Sequence, residues 1–226
     1  MKGFERQDLL FSLCGLNCGL CPMQWDGHCP GCGGGAGNQS CKIARCALEH
    51  GGPAYCFQCG DYPCGRLCCG DYDSFITHQR RQADLERARL LGPEACRAGI
   101  PERREILGFL LENCNDGRRK TLFFLAANLL ELPVLERIRV RAEAMADRSL
   151  KERAAAVSGE LLAAAGEAGV TLRACLKSGG VPDWGRFFCR ARRFDAGILA
   201  DFKSNQRSIG GKRCPETAFR WILNRL

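Results

Sequence analysis

The sequence contains little histidine, tyrosine or tryptophan, and it has no long apolar run. Three histidines in 226 residues supply little acid–base material, and no grouping of nucleophile, base and orienting acid accompanies them. We therefore predict no catalytic residue. A membrane helix requires about 18 consecutive apolar residues, and the apolar stretch at 121–132 (TLFFLAANLLEL) is too short. The sequence thus predicts no membrane-spanning segment.

Strand signals and internal repeats are scarce as well. No repeat of 20–50 residues occurs, which argues against a solenoid or a propeller. One short strand is predicted at 170–176, but no second strand pattern accompanies it. We therefore expect no sheet.

The N-terminus lacks the features of an export signal. Charges occur through the first eight positions, MKGFERQD, and only a short apolar patch follows, which is atypical of a signal peptide or an anchor. We therefore expect a cytoplasmic protein. Disulfide frameworks are rare in that compartment, and the 17 cysteines are odd in number, so reduced thiols are predicted.

What the chain has in abundance is cysteine, concentrated in one stretch. Twelve of the 17 cysteines lie between Cys14 and Cys69, divided by glycine and proline with few large apolar side chains. Ordering a chain costs roughly 1–2 kcal/mol per residue, so this stretch needs disulfides or metal in place of a core. CxxC pairs at 18–21, 29–32 and 56–59 can each aim two sulfurs at one ion. The spacing therefore favours metal.

The order and spacing of these motifs resemble a known family. The motifs CGLNCGLCP, CPGC, CKIARC and CFQCGDYPC, between residues 13 and 67, are similar to those of the cysteine-rich prokaryotic family designated domain of unknown function 3795. The resemblance implies a small intracellular protein that binds metal through these cysteines, and it implies no particular activity. The implied ligands are the ten cysteines on the family pattern: Cys14, Cys18, Cys21, Cys29, Cys32, Cys41, Cys46, Cys56, Cys59 and Cys64.

Ten thiolates do not divide evenly into tetrahedral sites. Two zinc sites of four cysteines use eight thiolates and leave two, and His28 or His50 could replace a thiolate in further arrangements. The alternative is a 4Fe-4S cluster, because Cys14, Cys18 and Cys21 form CxxxCxxC before a proline, as in bacterial ferredoxins. Radical S-adenosylmethionine enzymes share that spacing, but no barrel of alternating strands and helices follows here. We predict two zinc ions, although spacing alone does not separate zinc from iron–sulfur.

Seven cysteines fall outside the pattern. Cys68 and Cys69 lie close enough to Cys64 to serve as spare ligands. Free cysteine otherwise packs as a small apolar residue. That role is predicted for the remaining five: Cys96, Cys114, Cys175, Cys189 and Cys214.

Beyond residue 71 the apolar residues recur with helical spacing. We expect a mainly α protein in which an irregular, metal-stapled cysteine-rich domain (1–70) packs on a helical bundle domain of about five helices (71–176). A basic, partly helical C-terminal extension (177–226) follows. The predicted helices lie at 42–49, 74–91, 93–97, from Pro101 to a stop at 113–117, 121–132, along the stripe Val134 to Met145, from the capping box of Ser149 to Gly166 or Gly169, and at 215–226, with a short helix or strand at 4–13.

Charge divides the chain in the same place. Residues 1–75 carry a net charge of −2 and residues 76–226 a net charge of +10, which favours an anionic partner, either an acidic protein or nucleic acid. Arg118, Arg119 and Lys120 precede a helix, where cations oppose the helix dipole. A bound phosphate would offset that cost. The alternative is that these cations are solvated or paired with Glu112, Asp116 or Glu131.

Together these patterns predict a zinc-finger-like interaction module. The metal would be structural, and the basic half would dock an anionic partner. The alternative is an iron–sulfur protein for electron transfer or redox sensing, or, as a lesser alternative, an iron–sulfur enzyme.

Overall fold

The computed structural model describes residues 2–35, 41–68 and 73–174, all within one compact unit. The fold is mainly α, as predicted, and these residues contain no strand. Two 3-10 turns, Cys18–Leu20 and Cys56–Gln58, lie in the cysteine-rich part. The α-helices of the described residues are α1 Pro22–Trp25, α2 Lys42–Glu49, α3 Gly65–Cys68, α4 Arg81–Leu91, α5 Pro93–Arg97, α6 Ile100–Asn113, α7 Lys120–Leu129, α8 Leu132–Glu143 and α9 Leu150–Ala168.

Residues 4–13 are irregular, so the predicted short helix or strand there is wrong. The carboxylate of Asp8 accepts the backbone N–H groups of Leu10 (3.1 Å) and Phe11 (3.0 Å), and such local side-chain bonds compete with helix and sheet. Phe11 and Leu13 are buried beneath the cysteine loops, whereas Leu10 is 36% exposed.

Helix α4 begins seven residues later than predicted, at Arg81 rather than at Ser74. Asp73 Oδ1 accepts the N–H of His78 at 2.7 Å, which satisfies that donor outside a helix and delays helix formation. Helix α5 has the predicted bounds. Helix α7 ends at Leu129 rather than Leu132, because Leu130 is extended. The carbonyls at this helix end bind Arg103 instead of a further helical turn, since Arg103 Nη1 donates to the carbonyls of Ala127 (2.7 Å) and Leu130 (2.6 Å).

The core lies among helices α6 to α9. Helix α7 occupies its centre, as predicted, and its residues 123–129 are all buried. Burying a large apolar side chain contributes about 1.5–3 kcal/mol, so this layer dominates the stability of the helical part. The largest fully buried side chains of this core are Leu20, Ile100, Ile106, Leu107, Leu110, Phe123, Leu130, Leu135 and Leu161.

Helix α9 is bounded by the local signals that the sequence displayed. Ser149 Oγ accepts the N–H of Glu152, and the Glu152 carboxylate accepts the N–H of Ser149 at 3.0 Å, which completes the predicted capping box. The helix ends at Gly169 in the left-handed conformation (φ +65°), where glycine carries no Cβ penalty. Residues 170–174 form no strand, so that prediction is wrong for the described part of the segment.

The cysteine-rich part contacts the helices directly. Asn128 Nδ2 donates to the carbonyl of Leu20 at 3.0 Å. The Arg104 guanidinium lies 4.8 Å from the centre of the Trp25 ring, which is a cation–π distance. Lys120 Nζ lies 2.7 Å from Asp26 Oδ2. These contacts attach the first 3-10 turn and α1 to helices α6 and α7.

The helix expected at 215–226 and the whole extension 177–226 lie outside the described residues. Within the described residues, no helix is both long and apolar enough to cross a membrane.

Candidate metal centres

The fold places most of the ten predicted ligands in two adjoining groups. The first thiol group comprises Cys14, Cys18, Cys32 and Cys41, whose thiols lie close enough that a charge on one raises the pKa of others. The second thiol group comprises Cys46, Cys56, Cys59 and Cys64, which are coupled in the same way. Cys21 and Cys29 are left as a neighbouring pair. The described cysteines are free thiols.

The two thiol groups are clusters rather than finished coordination shells. In residues 2–35, 41–68 and 73–174, no three His, Cys, Asp or Glu side chains are arranged as a group that could hold a metal ion. Only deprotonated sulfurs bind metal. Whether the clusters suit a metal therefore depends on the chemistry of their surroundings.

Burial favours the protonated thiol at Cys14, Cys18 and Cys32, because it raises the pKa of each. Burial raises the pKa of Cys14 from 9.0 to about 11, opposed by the Ser12 hydroxyl and by Arg81. Burial also raises the pKa of Cys18 well above its ordinary value, and the thiols of Cys32 and Cys14 act in the same direction. At neutral pH these sulfurs carry protons unless a cation replaces them.

Every sulfur of the first thiol group also has a hydrogen-bond donor. Donors aimed at sulfur favour the thiolate over the thiol. Cys41 is in addition the N-cap of α2 and accepts the N–H of Ala44 at 3.4 Å, where the helix dipole favours negative charge. The other sulfurs are served by the N–H of Cys32 on Cys18, the N–H of Leu13 on Cys32, and Ser12 Oγ at 3.3 Å from Cys14 Sγ.

Arginines lie beside both groups. Four thiolates around a divalent ion carry a net charge of −2, and a nearby cation offsets it. Arg6 approaches Cys32 and lowers the pKa of its thiol, and Arg81 does the same for Cys14. Arg66 has that effect on Cys46 in the second group. Sequence reasoning missed these arginines, because no spacing relates them to the cysteines they approach.

Arg6 also ties the loops together. Its Nη1 donates to the carbonyls of Asp8 (3.0 Å) and Phe11 (3.1 Å), and its Nε donates to Ala54 O (3.0 Å). Its guanidinium lies 5.0 Å from the Tyr55 ring centre. One cation therefore satisfies carbonyls from several loops of the cysteine-rich part.

The second thiol group is built from α2 and the second 3-10 turn. Cys46 lies in α2, Cys56 opens the turn, and Cys59 follows as its C-cap. Burial raises the pKa of Cys56, and the neighbouring thiols of Cys14 and Cys64 add to it. The N–H of Cys56 donates to Leu13 O at 2.8 Å. The two groups therefore adjoin.

Glycine permits the close approach of the first loop to α4. Gly15 has φ +89°, and a Cβ there would collide with the Arg81 carbonyl and lie 2.8 Å from Leu85 Cβ. No other residue type combines that dihedral with that clearance. The CGLNC loop can therefore lie directly on helix α4.

One of the two histidines near the cysteines, His50, contacts a thiol of the second group, since its Nδ1 lies 3.7 Å from Cys46 Sγ. The same Nδ1 lies 2.7 Å from the Cys46 carbonyl, and Nε2 lies 3.1 Å from Asp61 Oδ2. The ring therefore borders the second group and contacts both sulfur and oxygen. His28 is exposed.

The cysteines outside the pattern follow their predictions where they are described. Cys114 is fully buried in the helical core, and Cys96 packs with Phe11, Tyr55 and Ala88. The predictions for Cys69, Cys175, Cys189 and Cys214 lie outside the described residues, and so does the Cys68 side chain.

Carboxylates accompany the cations that precede α7. Arg119, its N-cap, has Nε 3.5 Å from Asp116 Oδ1, and Lys120 pairs with Asp26. Asp116 was among the expected partners and Asp26 was not. Asp116 also accepts the N–H of Arg118 at 3.1 Å. The predicted anion site at these three cations therefore competes with local ion pairs.

Comparison with known proteins gives this chain no relative. No family model, no curated protein and no solved structure matches it. The resemblance of residues 13–67 to a cysteine-rich family stays a prediction.

Proposed function

We propose that this protein binds two zinc ions through thiolates, one in each thiol group, and that the ions hold the cysteine-rich part in one shape. The observation that carries the proposal is that eight of the ten candidate cysteines gather in two adjoining groups of four, with Cys14 also near Cys56 and Cys21 near both Cys18 and Cys29. Zinc in structural sites takes four ligands, most often cysteine. The two groups of four match two such sites.

The surroundings of the sulfurs support thiolate chemistry. Each sulfur of the first group has a hydrogen-bond donor, and Arg6 and Arg81 supply positive charge nearby. When bound, zinc would supply the charge that holds four thiolates together. The chain itself supplies donors and cations that lower the free energy of those thiolates.

Closed all-cysteine sites leave no position for a substrate. We therefore assign the metal a structural role and the protein the role of an interaction module for an anionic partner. The net charge of +10 on residues 76–226 supports that partner class. Salt-dependent binding of the intact protein to single-stranded and duplex nucleic acid tests it, because phosphate contacts weaken steeply with salt. Affinity that ignores salt would exclude nucleic acid.

An iron–sulfur cluster is the second candidate function, and one observation favours it. The thiol of Cys21 lies close enough to raise the pKa of Cys18, so the CxxxCxxC run of Cys14, Cys18 and Cys21 is gathered at one end of the first group. Such a run holds clusters in bacterial ferredoxins. Electron transfer or redox sensing would follow from that cofactor.

Elemental analysis of protein purified without oxygen tests the proposal. We expect a colourless protein with about two zinc ions per chain. Cys18→Ser and Cys56→Ser should each lose one ion, while Cys96→Ser, a matched control outside the groups, should keep both. Brown protein that contains iron and absorbs near roughly 400 nm would replace zinc by the cluster. Loss of both ions in Cys96→Ser would contradict the assignment.

A further inference from the structure

A polar cavity lies between the first cysteine loop and helices α4, α6 and α7. It has a volume of about 40 Å³. At roughly 10–15 Å³ for each water-sized position, it has room for about three such positions. The polar side chains that line it are Asn17, Arg80, Asp84, Arg87, Arg103 and Asn128.

The lining carries more positive than negative charge. Three guanidinium groups face one buried carboxylate, that of Asp84, whose side chain is 9% exposed. Asp84 is already occupied, because Arg80 Nε lies 3.4 Å from Oδ1 and Asn17 Nδ2 donates to Oδ2 at 3.1 Å. Glu131 lies 3.3 Å from Arg80 Nη1. Both acids lie nearest Arg80 and also interact with Arg103, so three guanidinium groups face two carboxylates and one positive charge remains in excess.

Arg103 and Arg87 have donors to spare. Arg103 donates from Nη1 to two backbone carbonyls, and its guanidinium group has further N–H donors. Arg87 forms no ion pair with any residue that the structure describes. Burial lowers the pKa of Arg103, and the charges of Arg80 and Arg87 add to that effect. The cations thus repel one another in a partly dry space.

We propose that this cavity binds a small oxyanion, a phosphate or a carboxylate, through Arg87 and Arg103. Guanidinium groups match both anions with paired N–H···O bonds. A cavity with room for about three water-sized positions suits a small ion and excludes nucleotides and peptides from its interior. The inference does not depend on which metal occupies the thiol groups.

The site touches the metal-binding loop. Asn17, whose amide holds Asp84, immediately precedes Cys18 in the first thiol group. Asn128 donates to Leu20 O at 3.0 Å and to Phe124 O at 2.9 Å, which connects the same loop to α7. A bound oxyanion would therefore stabilise the loop that carries the first ligands.

Isothermal titration of the full-length, metal-loaded protein tests the site. Inorganic phosphate and acetate are titrated separately at constant ionic strength in chloride. We expect one anion per chain, and the tighter of the two names the class. Arg87→Gln should weaken that affinity about tenfold or more, because it removes a charge-assisted hydrogen bond to the anion.

Arg137→Gln is the matched control. Arg137 is exposed on α8 and does not line the cavity, so its variant removes equal charge and should bind as the parent does. Arg87 is also exposed, so neither substitution is expected to unfold the chain, and circular dichroism checks this. Equal weakening in both variants would show diffuse electrostatics and overturn the site. At about 10 mM anion, even binding weaker than that of typical oxyanion sites would be detected. If neither anion binds at that concentration, the proposed site is overturned.

Discussion

The cysteine-rich part and the helical part of this chain bury their apolar groups in different ways. Helices α6 to α9 share a continuous core in which helix α7 is buried throughout residues 123–129. The cysteine-rich part has only small apolar clusters, such as Phe4, Leu13 and Ala44, and several cysteines pack among them. A small core cannot offset the entropy of ordering a chain. The comparison teaches that one part can fold on apolar burial while the other needs a further source of stability.

Metal removal should produce the largest difference in stability between the cysteine-rich part and the helical part. Structural zinc contributes about 10–16 kcal/mol to the folding of small zinc domains. Chelation should therefore abolish amide-exchange protection in residues 4–64 and leave α6 to α9 protected. Hydrogen exchange with mass spectrometry resolves the two regions. Unchanged protection of the cysteine-rich part after complete metal loss would refute the comparison itself.

Acid should weaken metal binding next most strongly. Burial raises the pKa of Cys14 from 9.0 to about 11, so its thiol is neutral at pH 6–8 and zinc must displace the proton. Affinity should rise with pH throughout that window, about tenfold per pH unit for each proton released. Measuring the protons released into a weak buffer on zinc addition gives the number of protons displaced per ion. Affinity independent of pH would show that the thiols are already ionised.

A substitution that creates a cavity in the helical core should have the opposite effect: it should destabilise the helices and leave metal binding unchanged. Leu107 is completely buried, and Leu107→Ala should lower the free energy of unfolding of the helices by about 2–5 kcal/mol. The zinc content should not change. Leu162→Ala is the control, because Leu162 is 53% exposed. Urea unfolding followed by circular dichroism gives both values, and equal losses would be inconsistent with this core.

The smallest effect concerns the contact between the two parts. Gly15 and Gly117 have nearly the same φ, +89° and +88°, but only Gly15 faces close neighbours. Alanine at either position pays about 1–2 kcal/mol for the left-handed backbone. Gly15→Ala should cost a further 1–3 kcal/mol or so, because its Cβ would meet Arg81 and Leu85. Thermal unfolding of the two variants measures the difference in their stability. Equal stability would show that the loop moves away from helix α4 without cost.

The sequence predicted most helices because their signals are local. The capping box of Ser149 and the proline that opens α5 act within one turn, so neighbouring residues suffice to recognise them. The errors have non-local or competing causes. Asp73 satisfies the N–H of His78 and delays α4, and Asp8 organises residues 4–13 without helix or strand.

The features of the candidate metal centres were also predictable from the sequence only where they are local. CxxC spacing predicted three pairs of candidate ligands, since two sulfurs three positions apart can share an ion, and the set of ten came from the family resemblance. Spacing could not assign partners between distant loops, such as Cys14 with Cys41. It also could not reveal Arg6 and Arg81 beside the sulfurs, nor Arg103 beside Arg87, because these approaches join residues far apart in the chain.

The amino-acid sequence by itself determined that this chain is mainly helical, that its helical part has an apolar core, and that its thiols are concentrated where apolar side chains are few. These properties depend on composition and short-range periodicity. Only the tertiary structure decided which thiols become neighbours, which arginines approach them, and that a polar cavity lies beneath the CGLNC loop. Electrostatic interactions act through space between side chains that the fold brings together, so no local pattern in the sequence records them.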